Sequence, residues 1–408
     1  MRSILLTSNR SRSLYLGLLE CMWALAGGVG PIVGGAFTEY VSWRWNWWIN
    51  LPISGATFFL LLFFLDVHNP RTNVVDGFKA IDWFGSLSII GLTLMLLLGL
   101  NFGGTTFPWN SPTVICLIVF GSLMSILFVF SEKRLARYPL MPPALFRKKS
   151  NIACLLVTFT HGAVFIAGEY YLPLYFQSVR QASPLRSGLL ILPITVTEAL
   201  SGITTGIIIH QTGRYRELIW IGITLLTIGT GLYIHLGATS SIAMIVGFEL
   251  VAGIGAGFLF EPPLIALQAL VAQDDVATAT ATLGFVRNLA TSMSIVIGGV
   301  IFQNGMDNQI SELRSAGVPA SVTDSLSGGD AAASVMIIKT IADPRQQFAV
   351  KQAFAWSLRN MWILYTSISA VGVVASLFIA KQVLSKVHVE TKTGIKEEQP
   401  NNGINAGT

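Results

Sequence analysis

The feature that most constrains this chain is the recurrence of apolar runs of about 20 residues, the length of helix that crosses a bilayer's hydrocarbon core. They fall at 14–38, 47–66, 81–101, 112–131, 150–173, 187–209, 218–236, 242–262, 278–302 and 360–381. Lipid offers no water to satisfy backbone groups, so each run closes its hydrogen bonds internally as a helix. The expected fold class is all-α, a polytopic membrane protein with about ten transmembrane helices. Composition agrees: 12% of the residues are charged, against about 25% in soluble domains.

Orientation is read from Lys and Arg, because short cytoplasmic loops retain positive charge. With the N-terminus in the cytosol, the inside segments hold Arg2, Arg10, Arg12, Arg71, Lys79, Lys133, Arg134, Arg137, Arg147, Lys148, Lys149, Arg214, Arg216, Lys381, Lys386, Lys392 and Lys396. The outside segments hold Arg44, Arg180, Arg186, Arg314, Lys339, Arg345, Lys351 and Arg359. Five of these lie in one long segment, 303–359, where a rule for short loops has little force. Both termini are therefore expected in the cytosol. The net charge of +5 follows from this bias, so the expected partner is the lipid bilayer and no nucleic acid. On this topology Asn9-Arg10-Ser11 faces the cytosol, and no glycosylation is expected. The apolar run that begins near Leu14 continues past Ala24-Leu25-Ala26, unlike a cleaved signal.

Cys21, Cys116 and Cys154 all fall within spans, so no disulfide framework is implied. No Cys or His cluster has metal spacing, and neither a Gly-x-Ser-x-Gly elbow nor a Gly-x-x-x-x-Gly-Lys-Ser loop occurs. Neither a metal site nor an enzyme is expected.

Ionisable residues inside membrane spans are costly, so each is a functional candidate: Glu20, Glu169, Glu198, Glu249, Glu261, His161 and Arg287. Glu198, Gly202, Gly206 and His210 share one helical stripe, as do Glu249, Gly253, Gly257 and Glu261. Two readings stay open for each Glu. It is bonded to a neighbouring helix or headgroup, or it exchanges a proton, since desolvation favours a neutral carboxyl. Glu169 opens Glu-Tyr-Tyr-Leu-Pro-Leu-Tyr-Phe-Gln-Ser-Val, in which Tyr170 and Tyr171 are candidate substrate contacts. Tyr175 and Phe176 suit an interfacial aromatic belt equally well. His161 lies two turns before Glu169 on the same face, the spacing of a proton relay. At Glu261-Pro262-Pro263 a double proline breaks a helix beside a carboxylate, and Arg287 is expected to be neutralised by Glu261 or by Asp274 and Asp275. Arg287 and Glu249 are the candidates for intramembrane charge pairing.

Gly27-Gly-Val-Gly-Pro-Ile-Val-Gly-Gly35 places a helix-bending proline among glycines that expose bare backbone to a neighbour. With Ala26 in place of its first Gly, this block resembles the antiporter motif (Gly-x-x-x-Gly-Pro-x-x-Gly-Gly) of major facilitator superfamily drug:proton antiporters, with Gly30, Pro31, Gly34 and Gly35 at matching positions. In particular it resembles the fourteen-helix fungal toxin-efflux branch. Gly206-x-x-x-His210-x-x-Gly213-Arg214 is similar to the superfamily's cytoplasmic gate loop, with His210 where that motif has Asp.

The resemblance implies an organisation. Residues 1–66 would be a remnant of an N-terminal half, its fifth and sixth helices, and 67–149 two inserted helices with a basic cytoplasmic linker. Residues 150–382 would be a complete six-helix C-terminal half with an external loop at 303–359, and 383–408 a disordered cytoplasmic tail. The family's first four helices have no counterpart, so an incomplete superfamily fold is expected. Either coding sequence upstream of Met1 is missing, or the protein is a natural truncation.

The implied function is proton-coupled efflux of small organic compounds (toxins, secondary metabolites or drugs) by alternating access. It would be driven by the proton gradient without a cofactor, in the plasma membrane or alternatively the vacuolar membrane. Uptake of an iron chelate or nutrient by a related branch, and an inactive remnant, are the alternatives.

Overall fold

The computed structural model of the chain describes residues 22, 26–65, 74–104, 106–136, 138–272, 275–328 and 331–382. Helix α1 is described from 26 to 36 and passes into a π-helical turn, Phe37–Val41. Then follow α2 (Trp45–Phe64), α3 (Trp83–Phe102), α4 (Pro112–Arg134), α5 (Lys149–Ser178) and α6 (Pro184–Thr212). The last four are α7 (Arg216–His235), α8 (Ile242–Gln268), α9 (Val276–Ser315) and α10 (Pro344–Ser376). The helices α2 to α10 are, among the described residues, the nine long and apolar enough to cross a membrane. Each overlaps an expected run. Part of the first run lies outside the described residues, as do Asn9, Glu20, Cys21, Asp274 and the tail 383–408.

Helix starts are written in the sequence. Ser111, Ser183 and Asp343 each precede a proline at the first helical position and accept a backbone N–H, from Val114 at 3.3 Å, Arg186 at 3.3 Å and Arg345 at 2.9 Å. The side chain satisfies an orphan donor, and proline removes one while fixing φ.

Helices α5 to α10 form one bundle. Helix α5 packs on α9 and α10, α7 also packs on α10, and α8 runs between α6 and α7. Glycines set how close α8 comes to both neighbours. A Cβ at Gly253 would lie 2.7 Å from the Ile194 carbonyl of α6, and one at Gly255 would lie 2.7 Å from Leu226 Cα of α7. Polar links fix α5, α9 and α10. Tyr171 donates to the Ile295 carbonyl at 2.6 Å, Tyr365 to the Ser294 carbonyl at 2.6 Å, and Ser294 Oγ to the Ala163 carbonyl at 2.6 Å.

The α3–α4 hairpin joins the bundle through α3 and α9. Helix α2 has no buried residue and displays Trp43, Trp45, Trp47 and Trp48 at its approach.

Two expectations are corrected. Residues 303–359, expected as an external loop, carry helix at both ends, since α9 continues to Ser315 and α10 begins at Pro344. Hydropathy falls at 303, but helical hydrogen bonding needs only compatible backbones, and it stops where Gly317 turns left-handed (φ 80°). Tyr175 and Phe176 do not form an interfacial belt, since both are fully buried, with Tyr175 donating to the Gly237 carbonyl at 2.8 Å.

Candidate functional site

The Gly-Pro block lies antiparallel against the start of α6. A Cβ on Gly27 would meet Thr195, one on Gly188 would run into the Pro31 carbonyl, and one on Gly35 would stand 2.8 Å from Leu185 Cα. Small residues on both helices thus let the backbones touch. Just past the block, Glu39 accepts the Leu185 N–H at 3.2 Å, placing a carboxylate at the α6 N-terminus where unpaired amides favour negative charge. Thr38 donates to the Gly34 carbonyl at 2.8 Å, and Asn46 donates to Thr38 at 3.2 Å.

Behind this contact is a cavity of about 320 Å³ bounded by Pro31, Gly34, Gly35 and Thr38 of the first helix, Pro184, Ser187 and Gly188 of α6, and Glu169 and Gln177 of α5. Glu169 Oε1 is buried and accepts no hydrogen bond from a described residue. The structure therefore brings together two features that lie far apart in sequence, the Gly-Pro helix and the carboxylate of the Glu-Tyr-Tyr stretch.

The cluster extends inward. Glu249 of α8 is fully buried, neither of its oxygens bonds a described residue, and it lies close enough to Glu169 to interact electrostatically. Tyr233 is reached by Glu169, Glu198 and Glu249 alike, and its ring packs on Trp362 at 4.9 Å. The Tyr233 hydroxyl and Trp362 Nε1 also have no described partner. Unsatisfied polar atoms in a low-dielectric interior are costly unless water or a ligand meets them. The interior beside the cavity is therefore suited to hold something polar.

The Major Facilitator Superfamily profile matches residues 3–295. The chain belongs to the major facilitator superfamily. It is 44% identical over 394 residues to the efflux pump dotC of Dothistroma septosporum, covering 97% of this chain and 67% of that one. It is 43% identical to the MFS-type transporter ppz2 of Metarhizium majus, covering 96% and 68% respectively. It is 33% identical to the efflux pump FUS6 of Gibberella moniliformis, covering 97% and 70%. This superfamily member is thus a multi-pass membrane transporter, not an enzyme.

The other residues singled out in this transporter fall into separate places. His161 packs edge-on against Phe260 at 4.7 Å and stacks with Phe165 at 6.0 Å, so aromatic rings surround it on the way to Glu169. Arg287 donates to the Phe260 carbonyl at 2.8 Å, at the helix break whose next residue, Glu261, is itself buried. Glu249 stands eleven residues earlier on α8, roughly 16 Å along a helix axis, so Arg287 and Glu249 are not neighbours.

Glu198 sits where α6 meets α8, its backbone N–H 3.3 Å from the position a Gly253 Cβ would take. The two Glu-Gly stripes therefore face each other.

At the far end of α6, Gly213 (φ 70°) caps the helix by donating to the Ile209 carbonyl at 2.8 Å. Gly206 is buried, His210 occupies the last turn, and Arg214 is exposed, with its backbone N–H on Thr212 Oγ1 at 3.2 Å. Beside them Tyr215 donates to the Ala380 carbonyl at 3.0 Å, and burial pushes its phenol up to about 12. This loop is thereby tied to the end of α10.

Tyr170 is 53% exposed and Tyr171 is buried. Both border a second cavity of about 390 Å³ between α5, α9 and Asn101 of α3. Tyr171 is also a structural tie through Ile295.

Glu39, Thr38, Tyr233 and Trp362 were missing from the sequence reading. Ser183-Pro184 marks a helix N-terminus that needs an anion, so Glu39 had a signal. Tyr233 and Trp362 had none, because only folding shows that their polar atoms are buried.

Proposed function

We propose that this transporter exports small organic compounds in exchange for protons and that Glu169 is the exchanging carboxyl. The observation that carries the reading is the position of Glu169, on a cavity walled by the Gly-Pro helix on one side and the α5–α6 corner on the other. A carboxyl there borders the cavity and adjoins the contact, among the described residues, at which α1 and the α5–α10 bundle touch closely. Loading or releasing its proton changes the charge at that contact, so protonation biases which packing is favoured.

Glu249 and Tyr233 extend the proton's hydrogen-bonding environment inward, and Tyr170 is the substrate-facing ring. Export is supported by relatives named efflux pumps. Both termini are assigned to the cytosol and the chain to the plasma membrane, and the driving force is the proton gradient without a bound cofactor.

The test is accumulation of a panel of fluorescent lipophilic cations and neutral aromatic compounds in yeast cells stripped of their own exporters, at external pH 5 and pH 7.5. The expected result is lowered accumulation of at least one compound on expression, greater at pH 5 and abolished by an uncoupler. Glu169→Gln is expected to slow the initial rate by at least about tenfold, a barrier of roughly 1.4 kcal/mol. Raised accumulation on expression would reverse the direction, and an unchanged rate in Glu169→Gln would remove the carboxyl from the coupling.

A further inference from the structure

A cavity of about 940 Å³ lies at the end of α4 opposite the Trp109 turn, between that helix and the linker leading to α5, and is lined by Glu132, Lys133, Arg134 and Arg147 together with apolar residues. Lys133 and Arg134 come from the last turn of α4, where cations favourably face the helix's free carbonyls. That alone would explain two charges. Arg147 comes from a separate segment and is brought beside them by a built contact. Glu132 accepts the Leu140 N–H at 3.2 Å and the Met141 N–H at 3.0 Å, folding the linker back over the helix end. Leu145, 2% exposed, then pins the Pro143–Phe146 turn against α5.

Glu132, the one carboxylate among the described lining residues, is held by these amides beside Asp82 at the start of α3 and forms no ion pair with the cations. None of Lys133, Arg134 and Arg147 forms an ion pair or hydrogen bond with a described residue. The rest of the lining is apolar and open, with Val129, one turn before Lys133, at 48% and Phe146, next to Arg147, at 44% exposure. Val129 lies within the membrane-crossing stretch of α4, so the cavity opens from a charged end at the membrane surface towards the hydrocarbon.

We propose that this cavity binds the headgroup of an anionic phospholipid, its phosphate on Lys133, Arg134 and Arg147 and its acyl chain along Val129 and Phe146. Three cations without an ion-pair partner among the described residues, beside apolar lining at membrane level, match a phosphodiester joined to acyl chains, since basic clusters there attract anionic lipid. The ligand comes from the leaflet on the linker side, which the orientation proposed above makes the cytosolic one. The binding itself does not depend on that orientation.

The test is native mass spectrometry of the full chain in mild detergent, titrated with phosphatidylinositol, with phosphatidylcholine, and with soluble glycerophosphoinositol. The expected result is retention of phosphatidylinositol but not phosphatidylcholine, with apparent affinity falling about a hundredfold in the Lys133→Gln, Arg134→Gln, Arg147→Gln triple variant. Phe146→Ser, which leaves all three cations in place and adds no charge, is expected to weaken the lipid and not the soluble headgroup. Equal retention by the triple variant, with unchanged monodispersity, overturns the proposal. So does glycerophosphoinositol binding as tightly as the lipid, which would assign the site to a soluble anion.

Discussion

Glu39 and Glu169 show how one residue type divides its work by what surrounds it. The Glu39 carboxylate receives a backbone amide and holds a helix end, whereas Glu169 borders a cavity and keeps one buried oxygen that accepts no hydrogen bond from a described residue. Glu39→Gln keeps an acceptor but removes the charge that complements the α6 N-terminus, so a loss of about 0.3–1 kcal/mol is expected in thermal unfolding of the purified chain. Gly188→Val drives a side chain into the Pro31 carbonyl, and a loss of about 1–3 kcal/mol is expected in the same measurement. Gly284→Ala is the matched control, because a Cβ there meets nothing within 4 Å, and it should leave the melting temperature unchanged or slightly higher.

At this scale the sequence was legible where chemistry is costly. A Glu inside an apolar run stands out whatever its neighbours, which is why Glu169, Glu198 and Glu249 could be named. Tyr233 could not, since a tyrosine at a span's end is ordinary until its hydroxyl is found buried with no partner among the described residues.

Among the elements, the α5–α9–α10 seam rests on tyrosine hydroxyls rather than on shape alone. Tyr365 donates to the Ser294 carbonyl, while the Ser294 hydroxyl donates to the Ala163 carbonyl of α5. Tyr365→Phe and Tyr171→Phe should each cost about 0.5–1 kcal/mol, read as a lowered unfolding midpoint in detergent. Hydrogen bonds between membrane helices contribute about that much when the unfolded chain finds other partners.

The length of α9 was illegible for a definite reason. Hydropathy reports where lipid ends, not where a helix ends, and Gln303 to Ser315 carry polar side chains on an unbroken helical backbone. Starts carry local marks, Ser-Pro at Ser111 and Ser183 and Asp-Pro at Asp343, that hydropathy does not read, since the apolar runs begin at 112, 187 and 360.

Across the whole molecule, α5 to α10 form a self-contained bundle, and the described part of the first helix meets it along a glycine-lined edge. Sidedness follows from the charge distribution and is open to direct measurement. In a background with Cys21, Cys116 and Cys154 replaced by Ala, a cysteine at Ser183 should react with a membrane-impermeant maleimide on intact cells. A cysteine at Thr212 should react only after permeabilisation. The reverse pattern would invert the assignment of both termini. Membership in the superfamily was legible in the glycine spacing of 27–35, because a backbone contact permits few residues. What the sequence left unread was the partner of that glycine edge, since Gly188 lies more than 150 residues away and carries no local mark of its role.

Helix α8 carries a consequence of its own. Gly253 and Gly255 are two positions apart, about 200° around the axis, and they meet α6 and α7 respectively. A rod with bare flanks on opposite sides works as a splint. Neither neighbour can slide without dragging the other, so whatever swings during a transport cycle swings as a three-helix plank. Slack has to be found at its edges. In a saturation library screened for folded protein, positions 253, 255 and 257 should tolerate almost nothing but glycine while Ile254 between them varies freely.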